Sequence, residues 1–249
     1  MSPLTAPQHR RVRAVLGLYV AGLLATALPW AREIFGAGGP AWVSLGALAG
    51  FALALGRWPR CSALLAWLVL VGLFVRQPLI QNPALPFVGW LLLWHAALPR
   101  RAGDATAVPV PFVAALWVVA SLAYTYSGWH KLGSPSWVDG SALARVLDNP
   151  LARESLVRTA LLGAPAALLR LATTGGLLLE LLYAPLALFP RLRPMLWGGA
   201  VVMHAALLVL VDFASLSLGM LVVHAFMWDP AWWPGRRVAP GRCSGSQPA

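Results

Sequence analysis

Apolar residues in this chain come in long unbroken runs, not in the alternating or 3.6-residue stripes of half-buried elements. Eight runs recur, at 14–30, 41–56, 61–75, 84–98, 110–131, 166–189, 195–211 and 213–228. An apolar helix crosses the hydrocarbon core of a bilayer in roughly 20 residues, or somewhat fewer in a packed bundle. The pattern predicts an all-α fold: a polytopic integral membrane helix bundle of about eight transmembrane helices. Several runs are short and interrupted by Pro or Gly, so tilted or partly re-entrant segments, and a count of seven, remain alternatives. Gly46 and Gly50 form a small-xxx-small step in the second run, which predicts close packing of helix backbones.

One connection, around 132–165, is long and polar enough to hold structure of its own. Asp139 or Ser141 can cap a short helix that stops before Pro150. The following "LARESLVRTALLG" sets Leu151, Leu156, Val157, Ala160 and Leu161 against Arg153, Glu154 and Arg158. This is an amphipathic pattern suited to an extracytoplasmic helix lying in the membrane interface. The chain thus divides into a basic cytoplasmic N-terminus (1–13), a transmembrane domain (14–234) and a Gly-, Pro- and Ser-rich tail (235–249) expected to be disordered and cytoplasmic.

Composition agrees with a bilayer partner, at 59% hydrophobic and 11% charged against the roughly 25% charged of a soluble domain. Many of the 13 tryptophans fall at run ends, where headgroups favour them. The net charge of +11 is therefore not a nucleic-acid footprint, because the arginines sit between apolar runs. With eight spans and the N-terminus inside, Arg10, Arg11, Arg13, Arg57, Arg60, Arg100, Arg101, Arg191, Arg193, Arg236, Arg237 and Arg242 lie on the inner side. The short outer loops carry only Arg32 and Arg76, and the remaining five cations lie around 131–170, in the one long outer connection. Such asymmetry predicts that both termini are cytoplasmic; the membrane expected is the bacterial inner (plasma) membrane. Cys61 and Cys243 belong to no C-x-x-C pair and read as free thiols.

Of 19 basic residues, 18 are arginine; the single lysine, Lys131, closes the fifth run beside His130. At helical spacing Tyr124, Ser127 or Gly128, and Lys131 share one face. Two readings stay open: a lysine snorkelling into the outer interface, or an amine shielded from water and able to take a proton. Gly128 and Gly133 would admit a ligand or a neighbouring helix. Glu180 and His204 each lie 12 residues from Leu192 in the turn between two runs, which predicts equal depth near the midplane. Ionisable residues there are functional candidates, against the plainer reading of a Glu–His bond that ties two helices together. His224 reads as a packing histidine, and His95 as lying near the cytoplasmic end of its run. No histidines share i, i+3 or i, i+4 spacing, so no metal site is expected.

The stretch "YSGWHKLGSPSWVDGSAL" resembles the signature of the horizontally transferred transmembrane (HTTM) domain family, whose best-known member is vitamin K-dependent γ-glutamyl carboxylase. "LLLELLYAPLALFPRLR", "GGAVVMHAALLVLVDF" and "HAFMWDPAWWP" resemble its later helices and its end. The resemblance implies that Lys131 is a general base at the extracytoplasmic face, acting on a reduced quinone of menaquinone or vitamin K type. It places His130, Glu180 and His204 as orienting or relaying groups. Tyr124, Gly128, Trp137, Asp139 and Gly140 would shape the substrate and cofactor site, with Asp139 standing where the family has glutamate and His130 where it has another lysine. The carboxylase's β-rich extracytoplasmic region has no counterpart after 234. A separately encoded partner protein or peptide substrate is therefore expected, and a non-catalytic subunit serving peptide maturation, export or immunity is the second reading. A transporter is the weakest reading, because neither an inverted repeat nor a pair of broken helices is evident.

Overall fold

The computed structural model describes residues 3–78, 81–98 and 108–232. Among these residues the fold is all-helical, with two isolated β-bridges and no strands. In chain order the helices are α1 (Ala6–Ala27), α2 (Ala31–Phe35), α3 (Gly39–Ala54), α4 (Pro59–Arg76), α5 (Ala84–Ala97) and α6 (Val110–Lys131). After α6 come α7 (Pro135–Val138), α8 (Ala142–Leu147), α9 (Leu156–Leu162), α10 (Ala166–Leu181), α11 (Tyr183–Ala187), α12 (Arg193–Leu210) and α13 (Ala214–Met227). Proline stands in the first turn of α1, α3, α4, α6 and α12, where its missing N–H costs nothing and its fixed φ suits the helix.

All eight apolar runs are helical, but they are not equal in length. Four helical stretches are long and apolar enough to cross a membrane: Ala6–Phe35, Pro59–Arg76, Val110–Lys131 and Pro190–Leu210. A fifth candidate is the pair α9 and α10, bent by 112°. Helices α3, α5 and α13 are apolar but shorter. The basic residues Arg10, Arg11 and Arg13 lie within α1 and not before it, because Pro7 and the bond from the Thr5 backbone N–H to Gln8 Oε1 (2.8 Å) start the helix at Ala6. Arg100, Arg101, Arg236, Arg237, Arg242, Cys243 and the tail at 235–249 lie outside the described residues. Cys61 is a free, exposed thiol.

Helices α1, α3 and α4 pack in sequence, and glycine sets their spacing. A Cβ on Gly17 would stand 2.6 Å from the Gly50 carbonyl oxygen, and one on Gly50 2.8 Å from the Ala21 nitrogen. A Cβ on Gly46 would meet Val69 at 2.6 Å and Leu24 at 2.9 Å. The close packing expected of Gly46 and Gly50 is present, and it extends to Gly17. Helix α13 lies against α1, α5 and α6, with the Tyr19 hydroxyl donating to the Ser215 carbonyl at 2.7 Å.

The long connection is ordered. Helix α8 follows Ser141, whose N–H donates to Asp139 Oδ1 at 2.8 Å, and α9 is capped by Ser155, whose hydroxyl accepts from the Arg158 N–H. Helix α9 covers less than the amphipathic stretch suggested. Residues 151–153 instead pair with the α12–α13 turn: Arg153 N–H donates to the Leu210 carbonyl, Asp212 N–H to that of Leu151, and the Arg153 guanidinium meets Asp212 at 3.1 Å.

Candidate functional site: a buried polar cluster between α6 and α10

One face of α6 carries Ser121, Tyr124, Gly128 and Lys131, the first three buried. Gly128 allows α10 to come close: a Cβ there would stand 2.6 Å from the Leu181 nitrogen. Helix α10 ends at Leu181, because Pro185 has no N–H to continue the ladder. Thr125 supplies what the break removes. Its hydroxyl donates to the Glu180 carbonyl at 3.3 Å and accepts from the Ala184 N–H at 2.9 Å. Glu180 therefore sits in the last turn before a helix break, held against α6 from both sides.

The Lys131 ammonium donates to Glu180 Oε1 at 2.5 Å; the two side chains are 24% and 6% exposed. Lys131 Nζ also lies 4.3 Å from the centre of the Trp137 ring, an ordinary cation–π distance. The lysine thus reaches back from the helix end into the protein instead of snorkelling outward. The second carboxylate oxygen, Glu180 Oε2, is buried and has no hydrogen-bond partner among the described residues.

Beside this pair, Tyr124 connects two histidines. Its hydroxyl lies 2.7 Å from His204 Nε2 and 3.4 Å from His224 Nε2, and its ring stacks on Tyr183 with centroids 4.6 Å apart. His224 Nδ1 lies 2.7 Å from the Met220 carbonyl, so that nitrogen carries the proton and Nε2 is an acceptor. Both contacts of Tyr124 are satisfied only if His204 Nε2–H donates to the phenol and the phenol donates to His224. His204 Nδ1 is then a second buried acceptor without a donor. With the hydroxyls of Ser121 and Tyr183, four buried polar atoms in and beside this cluster lack partners among the described residues, which is unusual since most buried polar atoms are paired.

The remaining expected site residues separate into two groups. Trp137 belongs to the cluster through Lys131. His130 does not: it is exposed and packs edge-on against Tyr126. Asp139 is exposed and bonds Ser141, and its carboxyl is held below the ordinary range by the Ser141 hydroxyl and amide. Gly140 adopts φ +79°, the left-handed region that favours glycine, and packs on Arg170. These two residues shape the turn that carries Trp137. Glu180 and His204 do not bond one another, because the break at Leu182 upsets the equal count from Leu192. Each faces a different residue of α6. His95 lies away from the cluster, 3.1 Å from His9 Nε2 near the start of α1. Thr125 and Tyr183 were not foreseen; Pro185 inside an apolar run is the signal that points to a break needing a polar patch. Among the described residues, no group of three or more His, Cys, Asp or Glu is placed to hold a metal ion.

The fold and this cluster define a class: an all-helical protein with several helices long and apolar enough to cross a membrane, and an ion pair at a helix break. Compared with protein-family models, curated proteins and solved structures, the chain matches none.

Proposed function

We propose that this chain is an HTTM-like polytopic protein of the bacterial inner membrane. In this reading its eight helical segments span the bilayer, both termini are cytoplasmic, and Lys131 lies toward the extracytoplasmic face. Its activity is quinol-dependent, related to that of the vitamin K-dependent carboxylase, and centred on the Lys131–Glu180 pair. The observation that carries this reading is the pair of buried acceptors, Glu180 Oε2 and His204 Nδ1, beside the ammonium of Lys131. Two acceptors without donors suit a lipophilic ligand that brings hydroxyl groups, as a hydroquinone does.

A reduced quinone bound there would supply an acidic hydroxyl whose anion is electron-rich enough to react with O₂. The chain's own part is to receive the proton and to hold the charge. The Lys131 ammonium already donates to Oε1, so the open lone pair of the dyad is on Glu180 Oε2. Glu180 Oε2 would take the proton, and the Lys131 ammonium would hold the negative charge that the transfer leaves in a dry site. In this version Glu180 is the proton acceptor and Lys131 its electrostatic partner, and the two are distinguishable from the version with Lys131 as base.

The test is epoxide formation from reduced menaquinone and O₂ by the purified protein in liposomes. If Glu180 accepts the proton, Glu180→Gln is inactive while Lys131→Arg, which keeps the cation, retains activity. If Lys131 is the base, Lys131→Arg is as dead as Lys131→Ala, because arginine stays protonated. No epoxide from folded wild-type protein would favour the second reading, a non-catalytic subunit with a separately encoded partner. The exposed apolar side chains Leu151, Leu156 and Val157 around α9 offer such a partner a surface.

A further inference from the structure

A recess that reaches Phe213 and Ser215 beside the α12–α13 turn shares no residue with the Lys131 cluster. This cavity has a volume of about 610 Å³, within the range of small-molecule sites. Its apolar wall includes Leu23 of α1 and Leu73 and Phe74 of α4; Glu33 of α2, Arg76 at the end of α4 and Gln77 supply its polar side. Trp30, 59% exposed, stands at the same edge, and Val75 beside Arg76 is 74% exposed. The recess therefore opens at the ends of two membrane-length helices, which the proposed topology puts at headgroup level.

Glu33 and Arg76 are exposed, and neither forms an ion pair or a hydrogen bond among the described residues. One mouth thus presents a carboxylate and a guanidinium over an apolar wall. An anionic ligand would leave Glu33 repelled, and a purely cationic one would leave Arg76 opposed. A headgroup that carries both charges satisfies both side chains. Guanidinium forks match phosphate oxygens, and a carboxylate bonds best to an amine that has N–H donors.

We propose that this recess binds a zwitterionic phospholipid with a primary amine, its phosphate on Arg76, its ammonium on Glu33 and an acyl chain along Leu23, Leu73 and Phe74. The site is independent of the Lys131 chemistry. Phosphatidylethanolamine has the required groups; phosphatidylcholine lacks the N–H donors, and phosphatidylglycerol lacks the cation.

Native mass spectrometry of the detergent-purified protein, titrated with each lipid in turn, tests the assignment. Wild type is expected to hold phosphatidylethanolamine about tenfold better than phosphatidylglycerol, the factor expected for one charge-assisted contact. Arg76→Gln is expected to lose that binding. Glu33→Gln is expected to bind the ethanolamine and choline lipids alike. Both side chains are exposed, so unchanged thermal unfolding is the control for folding. Equal retention of all three lipids by wild type, or by both variants as by wild type, overturns the proposal. So does water-soluble glycerophosphoethanolamine binding as tightly as the lipid, because the apolar wall would then contribute nothing.

Discussion

Two of the glycine-dependent helix crossings in this molecule, α1–α3 and α6–α10, differ in what the close approach brings together. At the α1–α3 crossing Gly17 and Gly50 bring backbone against backbone, and what surrounds them is apolar. At the α6–α10 crossing Gly128 does the same against Leu181, but the approach brings Lys131 to Glu180 and Thr125 to a broken helix. The first crossing is completed by its own contacts. The second keeps Glu180 Oε2 and His204 Nδ1 buried without donors among the described residues, at a cost in free energy. Close approach of helices is thus a general device, and the leftover polar atoms distinguish the second crossing from a plain seam.

Removing one partner of the ion pair has the largest expected effect. Lys131→Ala strands a carboxylate that is almost fully buried, and breaking such a pair costs about 3 kcal/mol. Glu180→Leu should cost less, because Lys131 is 24% exposed and its ammonium can turn toward water. The double variant Lys131→Met with Glu180→Leu should recover most of the loss, since apolar replacement of both partners is often neutral. Thermal unfolding in detergent of the two single variants and the double variant checks this. A double variant as unstable as Lys131→Ala would mean that the pair is not a coupled unit.

Alanine at the two crossings comes next. Gly17→Ala and Gly128→Ala each force helix backbones apart and should cost about 1–3 kcal/mol, the usual price of overpacking. They should differ in what else is lost. Gly17→Ala should leave the Lys131–Glu180 pair intact, whereas Gly128→Ala should lengthen it and abolish any Lys131-dependent activity. Epoxide formation by the folded fraction of each variant, beside its unfolding temperature, separates the two effects. Equal activity loss in both would erase the contrast between the crossings.

Each crossing was legible in the sequence on one side only, since Gly46 and Gly50 named no partner and Gly17 was not among the signals. Gly46 and Gly50 announce a helix seam by spacing alone, and Tyr124, Gly128 and Lys131 announce a shared face by period. The partners of that face were not legible from spacing. Counting 12 residues from Leu192 assumes unbroken helices on both sides, and the break at Leu182 shifts Glu180 onto Lys131 instead of His204. His130 is next to the key lysine in sequence but lies about 100° around a helix from it, which is why it ends exposed beside Tyr126.

The break itself gives a smaller test. Thr125→Val removes a hydroxyl that serves both the Glu180 carbonyl and the Ala184 N–H, in a shape close to the original. Leaving those groups unpaired should cost about 1–2 kcal/mol. Hydrogen exchange should quicken at Ala184, while Thr125→Ser should keep wild-type protection. If Val and Ser behave alike, the hydroxyl is not what holds the break.

The smallest effect lies at the turn that carries Trp137 to Lys131. Asp139 is fully exposed, and its carboxyl is lowered by hydrogen bonds from the Ser141 hydroxyl and amide, with Arg145 and Arg170 adding to the effect. A depressed folded value means that the carboxylate's contribution is complete above the unfolded value of about 3.9 and is lost as pH falls through the lower folded one. The start of α8 should therefore keep its protection from pH 8 down to about 5 and loosen only below about 4. Hydrogen exchange at Ser141 and along 142–147 reads this directly. Asp139→Asn, which can still accept from the Ser141 amide, should remove the acid transition without fraying the helix at neutral pH. A transition near pH 6 instead of below 4 would mean that the Asp139 carboxylate is not the group that holds this turn.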